Sequence, residues 1–177
     1  MSVMNLAAIA MYSATGFACA LALRACRTIY RGDAPERVWT AALAMMIALS
    51  LARLAGMEDR ARDALRVLAR GSDHYAERAA MQVPILVIVA ALVAVAAFLL
   101  WRKWRSFSPG SSRRMAVAAQ ACLLGFAAIY AVRIVSLHAV DAVLYSGPFR
   151  LNYVIEAGLC AVLAASAVMF DRRRKRR

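Results

Sequence analysis

Long apolar runs separated by short polar connections dominate the hydropathy pattern of this chain. A helix needs about 20 apolar residues to cross a hydrocarbon core about 30 Å thick. Five runs reach or approach this length, and they cover residues 4–23, 38–54, 83–101, 115–137 and 151–170. We therefore predict an all-α integral membrane bundle of five transmembrane helices that forms a single membrane domain over residues 1–177.

The connection at residues 57–82 has a different pattern. Small and apolar side chains recur at helical spacing through Ala61, Leu65 and Leu68, with charged residues between them. This predicts an amphipathic helix of about 12 residues lying on the interface. Its arginines, with Arg53 just before them, nearly balance its acidic residues, which is typical of a solvated face with intrahelical pairs.

Composition excludes a soluble globular domain. Hydrophobic residues make up 63% of the chain and the mean hydropathy is +0.60, against about 45–50% apolar residues in soluble domains. The four cysteines form no Cys-x-x-Cys pair and lie within or at the ends of the apolar runs, so we interpret them as small packing residues. They are Cys19, Cys26, Cys122 and Cys160.

Lys and Arg residues are distributed unequally between the connections. Residues 24–37, residues 102–114 and the tail at 171–177 contain four, five and six of the 23, and the remaining eight lie in or near the alternate connections. The positive-inside rule makes the first set cytoplasmic. This predicts a multi-pass protein of the bacterial inner membrane, N-terminus outside and C-terminus inside. We attribute the net charge of +13 to topology and anionic lipids and expect no nucleic-acid binding.

Polar residues approach the membrane from the predicted outer side at three places. They are Tyr75, Arg78 and Gln82 before the third run, Arg133, Ser136, His138 and Asp141 at the end of the fourth, and Asn152 and Glu156 at the start of the fifth. Arg133 and Glu156 each lie about 7.5 Å below the interface, at about 1.5 Å per residue. Since an ionisable side chain at this depth normally finds a partner in the bundle, we predict an ion pair between them.

Two interpretations fit the three-residue spacing of His138 and Asp141. They either cap the end of the fourth helix and meet the outer arginines, or hold a metal or transfer a proton. A metal would need further ligands, for which Glu156, Glu58 and Asp59 are the candidates. The sequence contains no cofactor motif, phosphate loop or Cys/His cluster of metal spacing, so the cofactor remains unknown.

The motifs Arg-x-x-Ser-x-His-x-x-Asp at 133–141 and Asn-x-x-x-Glu at 152–156 resemble those of a group of small uncharacterised bacterial polytopic membrane proteins. The resemblance covers residues 53–170. It includes a third motif, His-Tyr-x-x-Arg-x-x-x-Gln at 74–82. Similar proteins usually have Gly-Trp-Tyr where this chain has Asp-His-Tyr at 73–75. The resemblance implies that the polar residues act as a unit and implies no activity.

Two functions from different classes are consistent with this polar cluster. The first is a non-enzymatic binding or accessory subunit that engages a lipid head group or a membrane partner, including a second copy of the chain. Arg78 with Tyr75 would then clamp a lipid phosphate, or serve only as an interfacial anchor. The second is an intramembrane metal-dependent hydrolase or proton-handling enzyme that acts on a lipid-like substrate at the outer leaflet. The sequence leaves open whether the protein is an enzyme.

Overall fold

Five helices make up the structure, a computed structural model that describes residues 3–28, 34–56, 60, 78–108, 111–135 and 151–174. They are α1 (Val3–Arg27), α2 (Ala34–Leu54), α3 (Arg78–Ser106), α4 (Ser112–Val135) and α5 (Leu151–Arg174). All five are long and apolar enough to cross a membrane. The predicted all-α fold class is confirmed, and the chain is a multi-pass membrane protein.

Most of the helices extend beyond the apolar runs that predicted them. α1 continues to Arg27 and α3 to Ser106, because a helix can carry its basic side chains to the membrane surface while its backbone groups stay hydrogen-bonded. A short connection joins α3 to α4. There, the Arg114 N–H donates to Ser111 Oγ at 3.3 Å and caps the start of α4.

The predicted interfacial segment at 57–82 lies largely outside the described residues. Its last part, 78–82, forms the start of α3. Residues 136–150, which contain part of the predicted polar cluster, also lie outside the described part of the chain. The amphipathic helix therefore stays a prediction.

Small residues allow the helices to pack closely. α1 packs against α2 and α5, and α4 packs against α2, α3 and α5. A Cβ atom at Gly16 of α1 would lie 3.3 Å from the Cβ of Met46 in α2, and one at Gly125 of α4 would lie 2.9 Å from a methyl group of Leu159 in α5. Such close approach through small residues is how helices gain van der Waals contact inside a membrane.

The four cysteines contribute to the same core. All are buried, with free thiols, as expected for packing residues. Larger side chains fill the space between them: Tyr12, Trp39, Met46, Phe126 and Leu163 are among the largest fully buried ones. α3 differs, since its span from Val87 to Ser106 contains no buried residue.

Alternating helix directions give the bundle two distinct ends. At the basic end, Arg27 of α1 pairs with Glu36 of α2 at 3.2 Å, and the Trp39 ring lies 5.4 Å from that of Phe170 in α5. At the opposite end, called the polar end below, the N-terminal halves of α1 and α5 meet the C-terminus of α2 around Glu156. Of the predicted polar cluster, Glu156 lies at this second end.

Candidate functional site

Glu156 is the centre of the polar end. It lies in the second turn of α5 and is 0% exposed. The Tyr12 hydroxyl of α1 donates a hydrogen bond to Glu156 Oε2 at 2.5 Å. Nη2 of Arg53, from α2, lies 3.3 Å from Oε2 and 3.4 Å from Oε1. One carboxylate therefore joins three helices.

Arg53 reaches this carboxylate from the last turn of α2. A cation is favoured at a helix C-terminus by the partial negative charge of the last carbonyl groups, and a long aliphatic stem lets the guanidinium group move along the helix axis. The guanidinium carbon also lies 5.7 Å from the ring centroid of Tyr153. Tyr153 precedes Glu156 by three residues, so ring and carboxylate share one face of α5 and both contact the same cation.

Tyr12 is held in place by the surrounding core. Its ring meets that of Phe126 of α4 edge to face, with centroids 6.4 Å apart. A buried phenol needs a hydrogen-bond partner, and the Glu156 carboxylate supplies it. The Tyr12 ring thus packs in the apolar core, and its hydroxyl donates a hydrogen bond to the carboxylate of the ion pair.

These contacts define what Glu156 can do chemically. An ionised carboxylate accepts hydrogen bonds at roughly four lone-pair sites, and the phenol and guanidinium donors already engage both of its oxygens. Its burial keeps it away from bulk water. The arrangement suits a group that fixes the relative positions of α1, α2 and α5.

The position of Arg53 differs from the solvent-exposed one that the sequence predicted. The sequence pattern placed it with the solvated charges of the 57–82 connection, whereas it is only 8% exposed. The reason is that its Cα belongs to the last turn of α2, from which the side chain folds back toward Glu156 instead of outward to water.

The predicted ion pair between Arg133 and Glu156 stays a prediction. α4 and α5 pack against each other as the pair requires, and Arg133 belongs to α4, but its side chain lies outside the described residues. The same holds for three further residues whose backbone belongs to a described helix but whose side chains are not described: Arg78, Gln82 and Asn152. Positions outside the described residues altogether are Glu58, Asp59, Tyr75, Ser136, His138 and Asp141.

Metal ligation stays a hypothesis for the same reason. The described part of the chain contains no group of three His, Cys, Asp or Glu side chains that could hold a metal. Of the five candidate ligands, the described residues include Glu156 alone, and its known partners are an arginine and a tyrosine.

Sequence reasoning missed Tyr12 and Arg53 as partners of Glu156. A signal for each was present: Tyr12 is the one residue with an ionisable side chain in the run 4–19 apart from cysteine, and Arg53 is the one charged residue in the run 38–54. Both residues therefore required a polar partner inside the bundle. Their distance along the chain from Glu156, more than a hundred residues, hid the pairing.

No family model, curated protein or solved structure matches this chain. The resemblance drawn from the polar motifs therefore stays a prediction.

Proposed function

We propose that this chain is a non-enzymatic binding or accessory subunit of the bacterial inner membrane. Its polar end, on the outer side, engages a lipid head group or a membrane partner. The N-terminus is outside and the C-terminus is cytoplasmic, in keeping with the distribution of basic residues. The observation that carries the proposal is the enclosure of Glu156 by Arg53 and Tyr12.

This enclosure favours recognition over catalysis. A general acid or metal ligand must offer its oxygen atoms to a substrate or ion, whereas Glu156 offers them to α1 and α2. Tying three helices together under the surface also holds the start of α5, where Asn152 lies, in a constant position relative to α1 and α2. Binding sites gain affinity from such preorganisation, because less freedom is lost when the ligand arrives.

The metal-dependent hydrolase is the competing hypothesis. It would use His138 and Asp141 with Glu156, and Glu58 or Asp59 would complete the ligand set. Ligation by Glu156 would place a metal ion beside the Arg53 guanidinium group, which lies 3.3 Å from Oε2, and two cations that share one buried carboxylate repel each other. We therefore favour the binding subunit.

Native mass spectrometry of the protein extracted from its own membrane in mild detergent tests the proposal. We expect the wild type to retain a stoichiometric species, whose mass identifies it as a lipid, a second copy or another protein. The double variant His138→Ala/Asp141→Ala should lose that species. The matched control Arg27→Ala/Glu36→Ala removes an ion pair from the basic end and should keep it.

Two results would contradict the binding subunit. One is retention of the same species by the His138→Ala/Asp141→Ala variant, which would place binding elsewhere. The other is a bare monomer that carries a stoichiometric transition metal and loses it in His138→Ala. That second result would favour the hydrolase.

A further inference from the structure

A cavity of about 320 Å³ lies at the basic end, away from the polar end around Glu156. Its walls come from the start of α2, the end of α3 and the first turns of α4. The residues that matter for the argument are Pro35, Val38, Lys103, Phe107, Arg113 and Gln120. Pockets for small ligands begin at about 300 Å³, so the cavity can hold a head group and its glycerol portion.

The charge of this cavity is positive. Lys103 and Arg113 line it and both are exposed, and none of the described residues that line it is acidic. The nearby Glu36 is occupied by Arg27 at 3.2 Å. α2 and α4 also begin here, and the N-termini of helices carry partial positive charge. These features favour an anion.

Aromatic and apolar groups complete the cavity. The Arg113 guanidinium carbon lies 5.9 Å from the ring centroid of Phe107, an arrangement that orients the cation at the cavity wall. Val38 is buried and forms part of the apolar lining. Trp101 of α3 is 54% exposed near the same end, as expected for a side chain at head-group depth.

Gln120 lines this cavity and carries a polar atom without a partner. Its Oε1 is buried and has no hydrogen-bond partner within the described part of the chain. A buried amide oxygen without a partner costs free energy. Rotation of the side-chain amide toward the cavity would let a ligand with a hydroxyl or ammonium donor satisfy this oxygen. Glycerol hydroxyls and ethanolamine provide such donors beside a phosphate.

We propose that this cavity binds a phosphate ester carrying a hydroxyl or ammonium donor, and that the ester is the head group of a phospholipid in the leaflet at the basic end. Lys103 and Arg113 contact the phosphate, Gln120 accepts a hydrogen bond from the donor group, and Val38 with Phe107 contacts the apolar part. This site is independent of the function proposed for the polar end. Its lipid should therefore stay bound in His138→Ala/Asp141→Ala, which removes only the species held at the polar end.

Titration of the delipidated full-length protein, followed by native mass spectrometry, tests the proposal. The probes are phosphatidylglycerol, phosphatidylcholine and inorganic phosphate. We expect one tightly held phosphatidylglycerol. Lys103→Gln/Arg113→Gln should weaken it about 30-fold, the equivalent of about 2 kcal/mol for two basic residues near an anionic group. Gln120→Leu keeps the charge and should weaken phosphatidylglycerol while leaving phosphatidylcholine, which lacks a donor, unchanged.

A control with equal charge loss separates the cavity from general attraction. Arg102 and Arg105 lie on α3 near the same end but do not line the cavity, so Arg102→Gln/Arg105→Gln should weaken binding less than about threefold, because solvent and salt screen these charges. Equal losses in the two double variants would overturn the proposal. Displacement of the lipid by excess inorganic phosphate would overturn the lipid assignment and identify a soluble phosphate ester as the occupant.

Discussion

Replacing Arg53 with Met tests whether the ion pair with Glu156 holds the bundle together. Met keeps the volume and apolar stem of the side chain but removes the cation that lies 3.3 Å from Glu156 Oε2. At this distance the gross attraction is about 5 kcal/mol for an effective dielectric constant of about 20. Desolvation of both ions offsets much of it, but loss of one partner leaves the other buried and costs about 3–5 kcal/mol.

The two single variants should therefore differ. Arg53→Met leaves a carboxylate in the second turn of α5 with no route to water, so we expect the free energy of unfolding to fall by about 3 kcal/mol. Glu156→Gln leaves a cation at the end of α2, from which the long side chain can turn to the surface. We expect this variant to lose only about 1 kcal/mol, the worth of an ordinary hydrogen bond.

Reversible unfolding in mixed micelles of mild detergent and SDS, followed by circular dichroism of the helices, measures these values. The double variant Arg53→Met/Glu156→Gln should lose less than the sum of the singles, since it buries no unpartnered charge. Arg27→Met, which removes the exposed cation beside Glu36, is the control and should change stability by less than about 1 kcal/mol. Additive losses, or a larger loss in Glu156→Gln than in Arg53→Met, would refute the reasoning.

Three other predictions concern packing and topology. Gly125→Ala should lower stability by about 1 kcal/mol because the new methyl group would lie 2.9 Å from Leu159, whereas Gly158→Ala, with nothing within 4 Å, should be neutral or stabilising; equal unfolding midpoints would contradict this packing. N-ethylmaleimide should leave all four buried thiols unmodified in mild detergent and modify all four in SDS; labelling of the native protein, read by mass, would show that the thiols are accessible. A C-terminal green fluorescent protein fusion should fluoresce and a C-terminal alkaline phosphatase fusion should be inactive, because we place the C-terminus in the cytoplasm; the opposite result would reverse the orientation.

The apolar runs were sufficient to predict five helices and their approximate places. A membrane span must bury about 20 successive residues and satisfy its own backbone, and both demands act locally along the chain. The same local reasoning identified Glu156 as a residue that needs a partner in the bundle.

The tertiary structure decided that Tyr12 and Arg53 are partners of Glu156. Helix pattern gave the depth of Glu156 and suggested Arg133 on the adjacent span, but depth alone does not say which helix faces it. Nearly uniform apolar surfaces leave the rotation of each helix about its axis undetermined by sequence, and a long side chain such as that of Arg53 shifts its charge along the helix axis. The packing of α1 against both α2 and α5 settles both, and it brings Tyr12 and Arg53 to one carboxylate.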